Sequence, residues 1–526
     1  MNQRRYLIKG TLLLTVMGLL TRMAGFFYKI FLSRTIGASE IGLYQMSIPV
    51  FSFCTALCGG GIQSAISRFT AEYRAKNDRR GAVRALAAGL FLSLSSSVLC
   101  TALLYCGADL VAKRFLLEES CARLLKVMAL SLPFSMVHSC ICGYFMGEKQ
   151  VLPPALTQFI EQMIRIFFVV SVYSLSVKNQ GQPGAWLMVL GQLAGEASSA
   201  LFCAGCLCCM EGRHLFRKLL SRCTRWSAGR SRLTWLKSSF REILSVSLPL
   251  GTNRMLMCVL QAIEAALLPQ MLQRAGMTSV EALSDYGTLT GMALPMVLFP
   301  TAVTSALGML LLPAISEAHA LHRQKQLAET VNATFLGGLL LGSFCLGLFL
   351  LFGDDIGAAL FHSRRAGVYI RQLALVCPLL YINTAMMSIL HGLGKSTLIL
   401  LWNLTGFSLR LLCIVRLIPS HGMTGYLCGI LLDDLLLCIC ILFTLYRLSC
   451  LTTSVPDALA KMFLPAIAAG GATLLFRATL GERLPAPAGF IAGGAIYCLT
   501  FLAIVWPIIK HTDFFQKNAA SLPGGV

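Results

Sequence analysis

The sequence has few charged residues. Asp, Glu, Lys and Arg together make up 13% of its 526 residues, and hydrophobic residues make up 56%. A water-soluble protein carries about 25% charged residues, so this composition excludes an ordinary soluble globular chain. The charges are separated by apolar blocks of about 20 residues, which is the length of helix that crosses a bilayer. The sequence therefore predicts an all-α polytopic membrane protein.

The motifs of common enzymes are also absent. The sequence contains no GxxxxGK[ST] phosphate loop, no G-x-S-x-G nucleophile turn and no HExxH zinc motif. We therefore predict a protein that is not an enzyme, that binds no cofactor, and that does not hydrolyse ATP. Energy for any transport would come from an ion gradient, the membrane potential or the flow of cargo.

Acidic residues are scarce relative to basic ones, 23 against 44. If the N-terminus is cytoplasmic, the inside segments carry more than twice as many Lys and Arg residues as the outside segments. This follows the positive-inside rule and predicts that both termini are cytoplasmic. The basic loop at 211–240 is then expected to lie near anionic lipid headgroups or to act as a plain topology signal, and no nucleic-acid partner is needed to explain the charge.

Cysteine is abundant, with 21 residues, but its placement does not suggest a metal or redox site. The densest group is Cys203, Cys206, Cys208 and Cys209, and it lacks a second Cys/His pair. Buried thiols behave as small apolar side chains, which is our interpretation here. We predict no metal site.

Fourteen spans are predicted, arranged as two six-helix lobes and two additional C-terminal helices. The predicted domains are the N-terminal lobe 1–210, the basic cytoplasmic linker 211–240, the C-terminal lobe 241–446, and 447–526 with the two extra helices and a short tail. The approximate span limits are 7–33, 41–66, 82–107, 122–146, 153–177, 184–210, 241–271, 285–315, 330–352, 368–391, 396–418, 423–446, 457–478 and 487–510.

The eighth span contains several prolines within one apolar run. Pro295, Pro300 and Pro313 interrupt it, and Pro49 lies in the second span. Proline removes a backbone donor and clashes with the preceding turn, so it kinks a helix. Broken helices of this kind are typical of transporters, and we predict that these four positions bend or gate the helices.

Two spans carry cations near their expected centres. Arg22 and Lys29 are seven residues apart on the first span and share a helical face, and Arg254 lies in the seventh. A charge in mid-bilayer usually faces a cavity or a partner. Cations in a cavity would favour an anionic cargo such as a phosphate or pyrophosphate, although Lys29 has the alternative of reaching the membrane interface.

The remaining charges within the spans have two open interpretations, ion coupling or structural pairing. Glu161 and Arg165 are four residues apart and can pair on one helix. The other positions in this group are Glu196, Glu264 and Arg410, and Asp433 and Asp434 lie together in the twelfth span.

Several stretches of the sequence resemble one family. GLYQMSIPVFS from Gly42, EQMIR from Glu161, ILHGLGK from Ile389 and the long segment Tyr286–Ala318 are similar to the stage V sporulation protein B group of polysaccharide-biosynthesis flippases. This group is related to MurJ-type lipid II flippases and to MATE exporters. The resemblance implies fourteen helices, a central cavity, alternating access in a bacterial cytoplasmic membrane, and lipid-linked cell-wall sugars as cargo.

The resemblance also bears on single residues. Thr21–Phe26 matches an S-R-x-x-G-F pattern with Arg22 at its cationic position, while Tyr28 stands where a further arginine is usual. Glu264 stands where the group usually has aspartate.

The leading hypothesis is a flippase for undecaprenyl-pyrophosphate sugars such as lipid II, acting in peptidoglycan or spore-cortex synthesis. Coupling would use a monovalent cation or the membrane potential. A MATE-like multidrug exporter and a non-transporting scaffold are the alternatives.

Overall fold

The computed structural model describes residues 2–211, 230–448, 450–451, 455–479 and 486–510, and these residues contain helices and no β-strand. A helix satisfies all of its backbone hydrogen bonds within one segment, as the hydrocarbon core of a membrane requires. Most of the predicted basic linker, 212–229, lies outside the described residues. The all-α polytopic architecture is confirmed.

Two compact units make up the chain. The first extends to Gln273 and also includes Met277–Gly287, and the second contains Arg274–Gly276 and the chain from Thr288 onward. The domain limits derived from the sequence and the cytoplasmic position of both termini stay predictions.

Of the described helices, the first unit contains seven and most of two more. They are α1 (Asn2–Thr35), α2 (Ala38–Gly59), α3 (Ile62–Ala75), α4 (Arg79–Leu110), α5 (Cys121–Gly147), α6 (Leu152–Lys178), α7 (Ala185–Glu211), α8 (Arg230–Arg274) and α9 (Ser279–Thr288). A π-helical turn, Val111–Leu116, extends α4.

The second unit continues with α10 (Leu294–Leu298), α11 (Thr301–Ala320), α12 (Gln324–Phe361), α13 (Arg364–Leu373), α14 (Cys377–Gly392), α15 (Ser396–His421), α16 (Met423–Arg447), α17 (Val455–Thr479) and α18 (Ala486–Lys510). A π-helical turn, Leu289–Ala293, precedes α10, and a 3-10 turn, Ala374–Val376, joins α13 to α14.

Each predicted span coincides with helix in the structure. Among the described residues, 12 helices are long and apolar enough to cross a membrane, and a bent pair accounts for one further span. Within α17 the apolar stretch Phe463–Thr479 is shorter than a typical span. The protein is therefore a multi-span membrane protein, and the total of fourteen spans stays a prediction.

The second predicted span, 41–66, is divided between two helices. Gly61 separates α2 from α3 with φ +92°, a left-handed conformation that glycine adopts without steric cost. Beside it, a Cβ on Gly60 would lie 3.0 Å from the Cα of Gly251 on α8. Gly60 and Gly251 thus allow the two backbones to approach closely beside the break.

The eighth predicted span is also broken. The helical segments Ser279–Leu298 and Thr301–Gly308 are bent by 53° relative to each other. Pro295 lies in the first turn of α10, Pro300 immediately precedes α11, and Pro313 lies within α11. The helix α2, in contrast, continues through Pro49.

Candidate functional site

The cations of α1 differ in their exposure. Arg22 is exposed and Lys29 is partly buried, whereas Tyr28 between them is 9% exposed. Within the described part of the chain, the Arg22 guanidinium forms no ion pair. A guanidinium on an apolar span is costly in lipid, so its exposed position favours contact with water or an anionic group.

The long helix α8 carries Arg254 and Glu264. Arg254 is exposed, while Glu264 is buried and interacts electrostatically with Tyr286 of α9. The structure places Arg22 and Arg254 in the same unit. The two residues of α8 thus have different environments: the arginine is exposed, and the glutamate is packed inside the first unit.

Three helices of the first unit bring a partly buried charged cluster together. Glu161 and Arg165 lie one turn apart on α6, and the Arg165 Nη2 to Glu161 Oε1 distance is 2.5 Å. Glu196 comes from α7 and His138 from α5, with 3.8 Å between His138 Nδ1 and Glu196 Oε2. Single ligand atoms of His138, Glu161 and Glu196 lie within 4.8 Å of one another. We call these four residues the charged cluster.

Glycines on α7 position the charged cluster. A Cβ on Gly195 would lie 3.2 Å from the Glu161 carbonyl oxygen and 3.4 Å from Arg165 Nε, and a Cβ on Gly191 would collide with Val169. Small residues let membrane helices approach closely. The spacing of Gly191 and Gly195 therefore brings α6 and its two charges against α7.

Polar side chains of α1 and α2 adjoin the charged cluster. Arg165 interacts electrostatically with Tyr28 and Tyr44, and the Tyr44 hydroxyl donates a 3.2 Å hydrogen bond to Gln192 Oε1. The Tyr28 hydroxyl is buried and has no hydrogen-bond partner. One polar region of the first unit thus receives side chains from α1, α2, α5, α6 and α7.

The second unit contains a separate group of charges on α15 and α16. Arg410 Nε lies 3.6 Å from Asp433 Oδ2, and its guanidinium stacks 4.0 Å above the ring of Phe407. Asp434 Oδ1 accepts a 3.2 Å hydrogen bond from Asn383 Nδ2 of α14. Arg410 therefore has a structural partner, which supports pairing as its role.

A hydrogen bond from a side chain to the backbone supports the bent segment. The Tyr381 hydroxyl on α14 donates a 2.7 Å hydrogen bond to the carbonyl of Val297, close to the bend. Because proline lacks an amide donor, carbonyls near it need other partners. The buried tyrosine thus satisfies a group that the break leaves open.

The cysteine group of α7 is spread over different environments. Cys203 is buried with its Sγ 3.7 Å from Cys142 and 3.1 Å from the Thr157 hydroxyl, whereas Cys209 is exposed. These contacts fit the interpretation of the buried thiols as packing groups.

Sequence reasoning did not single out His138, Asn383 or Tyr44. His138 was available as an ionisable residue inside a span, which is a signal for function in itself. Asn383 and Tyr44 carried no such signal, because their roles depend on which helices pack together.

Comparisons with known proteins agree with this architecture. The chain is 27% identical over 420 residues to stage V sporulation protein B of Bacillus subtilis (strain 168), covering 80% of this chain and 79% of that protein. It is 23% identical over 432 residues to lipid II flippase MurJ of the same organism, with coverage of 80% and 78%.

Solved structures share the fold. Lipid II flippase MurJ in an inward closed conformation matches with a TM-score of 0.71 at 14% identity, over 96% of this chain and 100% of that chain. An inward-facing multidrug resistance MATE family transporter of the MOP superfamily matches with a TM-score of 0.65 at 16% identity, over 82% and 94%. The chain thus has the fold of MOP-superfamily transporters.

A family model described as polysaccharide biosynthesis protein matches residues 7–319, which is more than half of the chain. The sequence motifs, the helical architecture and this match together show that the chain belongs to the polysaccharide biosynthesis protein family.

Proposed function

We propose that the protein is a flippase that moves lipid-linked cell-wall oligosaccharide precursors across the bacterial cytoplasmic membrane by alternating access. The cargo would be an undecaprenyl-pyrophosphate sugar such as lipid II, used for peptidoglycan or spore-cortex synthesis. The protein would act as a transporter rather than an enzyme. Its relatives in Bacillus subtilis include a protein named as a lipid II flippase, and the shared fold supports the same class of activity.

The observation that carries this proposal is the exposure of Arg22 and Arg254 on membrane-spanning helices. A guanidinium can bind phosphate oxygens through two parallel hydrogen bonds, so two exposed guanidinium groups suit a pyrophosphate. Lys29, on the same face of α1 as Arg22, would add a third positive charge. Since Glu264 is buried and Glu161 is paired, the accessible charges among these residues are the positive ones.

The bent segment supports a transporter as well. The 53° bend next to Pro300 divides one span into two helical segments, and discontinuous helices of this kind occur where transporters change conformation. We propose that this segment moves during transport and that Pro295 and Pro313 help to define its ends. The membrane potential or a monovalent cation would supply the energy, and anionic headgroups would bind the basic linker.

A MATE-like exporter of organic cations is the second candidate, because the fold is shared with MATE transporters. An exporter of cations would need accessible carboxylates. In the described part of the spans, Glu161 and Asp433 face arginines, which makes them poor ligands for an organic cation.

The test is flipping by the purified protein in proteoliposomes. The rate of flipping is measured for fluorescent lipid II, for other undecaprenyl-pyrophosphate sugars and for an undecaprenyl monophosphate sugar. Each rate is measured with the unchanged chain, with Arg22→Gln and with Arg254→Gln. Arg323→Gln is the matched control, because Arg323 is an exposed arginine in the turn between α11 and α12. We expect each span variant to lose at least about tenfold in rate, the effect of about 1.4 kcal/mol of lost phosphate binding.

Unchanged flipping by both span variants would refute the role of the cations. Export of organic cations without movement of any lipid-linked sugar would instead favour the MATE-like function.

A further inference from the structure

One stripe of α8 is buried at both ends and open in its middle. Its members are separated by multiples of three and four residues, so they share one face of the helix. Ile243, at one end, is 1% exposed and packs with Ala65 of α3, and Leu268, at the other end, is 0% exposed. Between them, Arg254 and Gln261 are exposed. The face that carries these two polar residues is therefore directed toward the first unit at its end near Ile243.

The exposed apolar residues of α8 lie on a different side. They are Leu248, Leu256 and Val259, which are 62%, 41% and 37% exposed. At about 100° per residue, each of them is rotated by about 140° or more around the helix from Gln261. Thr252 lies on this apolar side, and its hydroxyl donates a 2.8 Å hydrogen bond to the carbonyl of Leu248. Its polar group is satisfied within the helix, as contact with lipid requires.

The amide of Gln261 has no such local partner. A glutamine amide can donate two hydrogen bonds and accept two, and this one forms none within the part of the chain that the structure describes. It therefore does not serve as the hydrogen-bond partner of Glu264, which lies one turn farther along α8. An amide without a partner in hydrocarbon costs several kcal/mol, so the exposed side chain faces water or a polar cargo rather than lipid.

The spacing of the two polar residues suits one particular kind of ligand. Arg254 and Gln261 are seven residues apart, which places them two turns, about 10.5 Å, apart along α8. The guanidinium favours phosphate oxygens, whereas the uncharged amide favours hydroxyl and amide groups. In a lipid-linked sugar the sugar ring is attached directly to the pyrophosphate. A residue two turns from a phosphate-binding arginine can therefore reach that sugar.

We propose that Gln261 determines cargo specificity by hydrogen-bonding the sugar that is attached to the pyrophosphate, while Arg254 binds the pyrophosphate. This inference rests on the proposed function and deepens it, because it assigns recognition of the glycan to an uncharged residue. The phosphate-binding cations accept any undecaprenyl pyrophosphate carrier. Gln261 favours the carriers that bear a sugar.

The first measurement asks which side of α8 faces water, and it needs no cargo. Gln261→Cys and Val259→Cys are each made in the full-length protein, placed in lipid nanodiscs and treated with a negatively charged thiol reagent that does not enter lipid. Tandem mass spectrometry gives the labelled fraction at positions 261 and 259 separately from the native cysteines. We expect faster labelling at position 261. Equal labelling, or faster labelling at position 259, would overturn the inference.

The second measurement compares the binding of lipid II with that of undecaprenyl pyrophosphate without a sugar, by native mass spectrometry of the full-length protein. Gln261→Met removes the amide, keeps the length of the side chain and retains a good helix former, so it is expected to fold. Its Kd for lipid II should rise about threefold to tenfold, the effect of one lost hydrogen bond. Its Kd for the sugar-free carrier should stay unchanged. Thr252→Val is the matched control and should change neither value.

The outcomes separate this inference from the function on which it rests. An equal rise for both carriers in the folded variant, or no rise for lipid II, would contradict the role of Gln261 and leave the proposed function standing. A rise in Thr252→Val as large as in Gln261→Met would contradict it as well. Failure of the unchanged chain to bind any undecaprenyl carrier would refute the proposed function and the sugar contact together.

Discussion

Replacing Arg165 with methionine tests the electrostatic account of the charged cluster. Methionine keeps much of the length of the side chain and removes the guanidinium that lies 2.5 Å from Glu161. Breaking a buried ion pair by removing one partner costs about 3–5 kcal/mol, because the other charge stays buried. Since the two side chains are 21% and 17% exposed, some hydration remains, and we expect a loss at the lower end, about 3 kcal/mol.

The assay is equilibrium unfolding in mixed detergent micelles, followed by circular dichroism as the fraction of SDS is raised. A second variant, Arg165→Met/Glu161→Gln, removes both charges of the pair. It should recover at least about 1.4 kcal/mol relative to the single change, which is a tenfold effect on the unfolding equilibrium. If the single variant loses less than about 1 kcal/mol in its free energy of unfolding, the pair behaves like a solvated surface ion pair. That result would refute the electrostatic account of the charged cluster. Equal stability of the single and double variants would also refute it.

Three further predictions concern helix packing and use the same unfolding assay. Gly287→Ala should destabilise the first unit strongly, because the new Cβ would collide with the carbonyl oxygen of Ala38, and wild-type stability would contradict the close approach. Gly61→Ala should cost about 1–2 kcal/mol, because alanine does not readily adopt the left-handed conformation at the α2–α3 break; a cost near zero would mean that the break tolerates other conformations. Arg477→Met should cost less than about 1 kcal/mol, since its 2.6 Å pair with Asp355 is well exposed, and a larger loss would reveal that the arginine, which also contacts Leu351 and Phe352, anchors α17 on α12.

The sequence was sufficient for the positions of the membrane helices. Apolar blocks of about 20 residues correspond to helices because a chain crossing the hydrocarbon core must satisfy its own backbone. The division of the second span at Gly61 was not predictable in this way. Gly59–Gly61 is a run of three glycines and a signal for a turn, but glycine is also common in membrane helices, so the run alone did not decide between a break and a continuous span.

The sequence also predicted only part of the candidate site. The Glu161–Arg165 pair followed from helical spacing, because residues four apart lie on one face. The contact of this pair with His138 and Glu196 depends on how α5, α6 and α7 pack, which periodicity does not reveal. The electrostatic environments of Arg254 and Glu264 also differ although both lie on α8, and their spacing did not predict which would be buried.

The π-helical turn at Leu289–Ala293 makes this region sensitive to changes in chain length. Such a turn contains an additional residue compared with an α-helical turn, so the side chains that follow it are rotated by about 100° relative to a continuous α-helix. Deleting one residue here would restore regular winding and rotate everything up to Pro300 onto a different face. We therefore expect this stretch to reject a single-residue deletion, whereas the exposed turn at 321–323 should accept small changes in length.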